Sequence, residues 1–132
     1  MEQTHYISTE LLSLDIVEQI ISEHKSLALS EEAKVNINKC RAYLDTKMVS
    51  QSTPIYGINT GFGSLCNVKI SNDNLSKLQE NLVKSHACGT GEEVPLPIVK
   101  LMLLLKIQSL SYGHSGIQLQ TVERLIAFYN HD

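Results

Sequence analysis

"PLPIVKLMLLLKIQSLSY", residues 95–112, is the stretch whose reading decides the fold. Pro97 suits the first turn of a helix, where a missing backbone N–H costs nothing. Ile98, Val99, Leu101, Met102, Leu103, Leu104, Leu105, Ile107 and Leu110 then run nearly all the way round a helical wheel. The spacing predicts a helix from about Leu96 to Tyr112, surrounded by protein. Its most apolar part, Ile98 to Leu105, holds Lys100 and is followed by Lys106, and it falls well short of the roughly 20 residues of a membrane span. A mainly α fold built around this helix is the expectation.

Neighbouring segments repeat the helical pattern. Val122, Leu125, Ile126 and Tyr129 share a side of a short helix from about Leu119 to Tyr129. Upstream, Asp73 can cap a helix in which Leu75, Leu78 and Leu82 form a face that returns at His86, before Gly89 and Gly91 stop it. That geometry turns His86 inward. Ser30, Glu31 and Glu32 mark another N-terminus, followed by Ala33, Ile37, Cys40, Leu44 and Met48 at spacings of three or four. Ser13 can cap a helix from about Leu14 to His24 with Leu14, Val17, Ile20 and Ile21 as its buried stripe. Tyr6 to Ser8 is a short strand or an extended lead-in.

Bulk properties narrow the function classes. With 132 residues and 42% hydrophobic content, one domain spanning 1–132 is expected. Eleven Lys and Arg against fourteen Asp and Glu leave a charge of -3, too weak and dispersed for nucleic acid or an anionic membrane. A small molecule or a protein is the expected partner. Cys40, Cys66 and Cys88 are odd in number and widely spaced, with no apolar leader before them, which points to a reducing, cytoplasmic setting.

Two places break the helical monotony. "IYGINTGFGSL", residues 55–65, carries Gly57, Gly61 and Gly63 in a G-x-x-x-G-x-G spacing that is neither a dinucleotide fingerprint nor a P-loop. Those glycines serve either a tight connection at positive φ or a close approach of backbone amides to a ligand, with Asn59 and Thr60 adding polar groups. The second place is His86 with Cys88, whose H-x-C spacing matches no strong metal pattern; no metal is expected. By pattern, His86 is either a hydrogen-bonded core histidine or a catalytic one. His114, in "SYGHSG", sits among turn residues.

"YGINTGFGSL", "QENLVKSHACGTGE" (79–92) and "GHSGIQLQTVERLIAFYN" (113–130) together resemble the amino-terminal part of the histidine ammonia-lyases, within the aromatic amino acid lyase family. The resemblance implies a mostly helical fold with a long central bundle, a homotetramer, and a chain truncated before its cofactor-forming segment. Family members use a methylidene-imidazolone formed from an Ala-Ser-Gly triplet. This chain lacks that triplet, its nearest match being His114-Ser115-Gly116. The chain alone is therefore expected to be inactive. Lys106, Gln108 and Tyr112 depart from the residues usual at their positions.

The resemblance implies elimination of ammonia from L-histidine to give trans-urocanate. Tyr56 matches the tyrosine assigned as base; a free phenol has a pKa of about 10, so a base role requires a field that favours its anion. His86 matches a position that helps choose the substrate side chain and suits a polar ring, and the adjacent Ser85 fits histidine better than tyrosine as substrate. Gly61 and Gly63 would give close backbone approach to substrate, with Gly57, Asn59 and Thr60 shaping the loop. Two rival readings remain: a tyrosine ammonia-lyase or aminomutase, and a non-catalytic helical interaction domain.

Overall fold

A computed structural model of the protein describes residues 3–50, 53–71 and 74–131. The contacts divide the chain into two compact units, residues 1–49 with 94–132, and residues 50–93. The first unit contains β1 (Thr4–Ile7), α1 (Leu14–Ser22), β2 (Ser26–Leu29), α2 (Glu31–Ser50), α4 (Leu96–Ser111) and α5 (Leu119–Asn130). The second holds α3 (Leu75–His86) and a short 3-10 turn, Gly63–Leu65. Five helices and one two-stranded sheet make the described fold mainly α.

The two strands run parallel, with His5 opposite Leu27 and Ile7 opposite Leu29. A parallel pair needs a crossover rather than a hairpin, and α1 provides it. Ser13 caps α1 by accepting from the Ile16 N–H at 3.3 Å. Ile20 is buried, whereas Leu14, expected in the same stripe, is 86% exposed. Leu14 lies only about 20° round from Ile21, which packs against the core, so it is its place in the first turn of α1 and not its angle that leaves it exposed. The strand at Ser26–Leu29 has no counterpart in the sequence reading. Four residues carry only two inward positions, Leu27 and Leu29, and that alternation is too short to stand out.

The core of this unit gathers Ile7, Leu27 and Ile37 with Leu104, Ile107 and Val122. Burying an aliphatic side chain contributes about 2 kcal/mol, so these six outweigh any surface pair in the unit. Only one side of α4 takes part. Leu104, Ile107 and Leu110 are buried, while Ile98, Met102 and Leu105 stand about half exposed, so within this chain α4 is covered on one face and not all round. Gln108 and Ser111, both buried, tie that face to the end of β1: the Gln108 side chain donates to the Ser8 and Glu10 carbonyls and the Ser111 hydroxyl to Ser8. No helix among the described residues is long and apolar enough to cross a membrane.

α5 closes the sheet edge. The Leu27 N–H donates to Asn130 Oδ1 at 2.8 Å and Asn130 Nδ2 donates back to the Leu27 carbonyl at 2.9 Å. One side-chain amide thereby substitutes for a missing neighbouring strand. The turn from α4 to α5 contains Gly113 and Gly116, both at positive φ (72° and 70°). An added Cβ at Gly113 would meet the Asn36 carbonyl oxygen at 2.7 Å, and at Gly116 the tip of Leu44 at 2.6 Å.

These features yield two expectations. Gly113→Ala should destabilise the protein by about 2 kcal/mol or more, because rigid backbone blocks the new methyl, and Gly116→Ala by less, because a leucine tip can rotate aside. Urea unfolding of both variants checks the order. His5, half-buried in β1, has its pKa lowered from 6.5 by burial and then by the Lys25 charge. The unfolded chain takes up that proton first, so the contribution of His5 is complete above pH 6.5 and is lost as pH falls below it. Thermal melts from pH 7.5 downward should show His5→Gln less sensitive than wild type over the first pH units below 6.5.

Candidate active site

The loop of residues 53–71 is held by hydrogen bonds rather than by an apolar core. Asn59 is 3% exposed and its amide reaches both sides of the turn: the Ile55 N–H donates to Asn59 Oδ1 at 2.7 Å, and Asn59 Nδ2 donates to the Thr53 carbonyl at 3.3 Å. The backbone adds Ile58 and Asn59 N–H groups, both donating to the Ile55 carbonyl at 3.1 Å. Beyond the turn the chain doubles back. Thr60 and Lys69 form an antiparallel bridge, Gly61 N–H donates to Val68, and Ile70 N–H donates to the Asn59 carbonyl. Thr60, fully buried, donates its hydroxyl to the Gly61 carbonyl.

Gly57 lies at φ 75° and Gly63 at φ 57°, so both relieve strain that a side chain would bring. Gly61 is buried and has no such φ; it serves instead in the bridge to Val68. Tyr56 projects from this frame with 65% of its surface exposed. Its ring stands edge-on to Phe62, centroids 6.2 Å apart and planes at 72°. Edge-to-face pairs of this kind fix a ring's direction as well as burying area. Phe62 was not singled out by sequence reasoning, since the glycine-rich stretch between Tyr56 and Phe62 follows no regular apolar period.

His86 is the last residue of α3 and is exposed, not inward-facing. The expected stripe is present, but Leu75, Leu78 and Leu82 are only half-buried and no described residue of α3 is fully buried, so the helix has no core to turn its face into. The Asp73 cap lies outside the described residues. His86 Nδ1 is 2.9 Å from the Leu82 carbonyl and 3.0 Å from Ser85 Oγ, which itself donates to Leu82. A carbonyl only accepts, so the proton of the neutral ring belongs on Nδ1, leaving Nε2 as an outward acceptor.

The structure thus collects Tyr56, Gly57, Asn59, Thr60, Gly61 and Gly63 in one frame. Among the described residues no hydrogen bond or ring contact joins His86 to it. No group of three or more metal-ligating side chains is found among the described residues. The methylidene-imidazolone of the lyases does not fit this chain's residues: Ser115 follows histidine rather than alanine, its hydroxyl accepts from Ile117 N–H, and Gly116 is packed against Leu44.

The chain is similar to known proteins in both sequence and fold. Histidine ammonia-lyase of Legionella pneumophila (strain Lens) is 48% identical over 120 residues, 91% of this chain and 24% of that protein. Ergothionase from Treponema denticola superposes with a TM-score of 0.88 at 25% identity, over 98% of this chain and 26% of its own. Histidine ammonia-lyase from Trypanosoma cruzi superposes at 0.81 with 32% identity, over 97% and 25%. The chain spans about a quarter of the length of these relatives. The sequence profile described as "Aromatic amino acid lyase" matches residues 12–132, and the chain belongs to that family.

Proposed function

We propose that this chain forms the amino-terminal part of a histidine ammonia-lyase, in which Tyr56 takes the β-proton of L-histidine and trans-urocanate and ammonia are the products. The observation that carries the reading is the placement of Tyr56: an exposed side chain on a turn whose backbone is fixed on both sides. A base that must meet a weakly acidic C–H gains most from being held in position before the substrate arrives. Proton transfer to Tyr56 as its phenolate restores the phenol and leaves the C–H electrons to form the Cα–Cβ double bond, while the Cα–N bond of the substrate ammonium breaks with its electrons on nitrogen, releasing ammonia. Activation of that leaving group lies with residues beyond this chain's own.

His86 supplies selectivity. With Nδ1 donating to Leu82, Nε2 accepts a hydrogen bond from a ring N–H such as that of imidazole, and a phenyl ring offers nothing to donate. The similarity to histidine ammonia-lyases at 48% identity supports histidine over other amino acids. The fold, shared with an ergothionase, supports the lyase scaffold without choosing the substrate.

Two experiments on the complete enzyme test this reading. Tyr56→Phe should lower kcat by about 100-fold or more, the span of a lost general base, with the imidazolone absorbance intact; wild-type turnover would remove Tyr56 from the base role. His86→Leu should narrow the kcat/KM preference for histidine over phenylalanine by about tenfold or more. Assays with histidine, tyrosine and phenylalanine side by side read both numbers, and a wild-type preference for tyrosine would replace the substrate while keeping the chemistry.

A further inference from the structure

Asn59 is buried in a unit whose other buried residues, among those described, are Thr60 and Gly61, and its amide is used at both ends. Oδ1 accepts from Ile55, the residue immediately before Tyr56, while Nδ2 donates to Thr53 on the far side of Pro54. The Asn59 N–H returns to the Ile55 carbonyl, so both peptide groups of Ile55 end on Asn59. On the other side, the Asn59 carbonyl accepts from Ile70, anchoring the turn to the returning chain. The backbone carrying Tyr56 is thereby closed into a ring whose only side-chain member is one asparagine. Among side chains of this length only an amide offers an acceptor and a donor together.

We propose that Asn59 is a positioning residue for Tyr56: it fixes the direction of the phenol by clamping the peptide groups that precede it, and the Phe62 edge contact is the visible result. The proposal rests on the reading of Tyr56 as base for its catalytic consequence, but not for its structural one. Aspartate in place of Asn59 keeps an acceptor for Ile55 and sets a negative oxygen against the Thr53 carbonyl. Alanine removes both bonds.

The test has two arms. In the 132-residue chain, with tyrosine and phenylalanine rings labelled, the Tyr56–Phe62 ring cross-peak should lose at least half its intensity in both Asn59→Ala and Asn59→Asp. The Ile55 amide should exchange with solvent at least tenfold faster in Asn59→Ala and remain protected in Asn59→Asp. Methyl shifts of Ile7, Leu104 and Val122 report that the first unit stays folded. In the complete enzyme both variants should lower kcat about tenfold or more with KM unchanged, because Asn59 aims the base and does not touch the substrate.

An unaltered ring cross-peak in Asn59→Ala would overturn the proposal, as would a change confined to KM. Loss of all ordered signals from residues 53–71 in both variants would also overturn it, in favour of a general folding role. If Tyr56→Phe leaves turnover intact, the base assignment fails while the cross-peak and amide exchange still judge the clamp.

Discussion

Burial of the inner face of α4 is the interaction on which the rest of the first unit depends. Leu104, Ile107 and Leu110 are the side chains that β1, α1 and α5 close around, and the strands are too short to persist without such a backing. The apolar contact is completed by polar ones at its margins. Gln108 and Ser111 satisfy the carbonyls at the exit of β1, and Asn130 satisfies the open edge of β2. A backbone group buried beside α4 without such partners would cost more than a typical hydrogen bond returns.

The second unit is organised differently. Residues 53–71 bury Asn59, Thr60 and Gly61 but no large described apolar side chain, so the turn is specified by hydrogen-bond geometry. Asn59 and Asn130 do the same physical work in the two units, each presenting an acceptor and a donor to main-chain groups that have no strand neighbour. In the first unit this closes a core; in the second it fixes the turn that carries the exposed Tyr56. Exposure of Tyr56 and His86 is what their proposed roles require, since neither could meet a ligand from a packed interior.

Much of the helical fold could be read from apolar spacing. α2, α4 and α5 lie within a residue or two of their expected ranges because long periodic runs outvote local ambiguity. β2 was hidden because two inward leucines cannot establish a period, and Leu14 was misplaced because it shares the angle of Ile21 but stands in the first turn of α1, where the core does not reach it. His86 was expected inward by extending the α3 stripe one turn too far: spacing gives the face of a helix but not whether anything covers it. At the loop, glycine spacing left two readings open. What decides its architecture is the amide of Asn59 reaching Thr53 and Ile55, a contact set by three-dimensional closure that no linear pattern encodes.

If the turn held by Asn59 serves the proposed elimination, the atom that receives the β-proton is the Tyr56 oxygen. Replacing Tyr56 in the complete enzyme with fluorotyrosines of graded acidity tests this most directly, because fluorine makes a phenol more acidic while changing its size little. If Tyr56 is the base, the acid-side limb of the kcat/KM profile for histidine should move to lower pH in step with the acidity of the substituted phenol. A limb that stays in place across the series would contradict the account and assign the proton to another group.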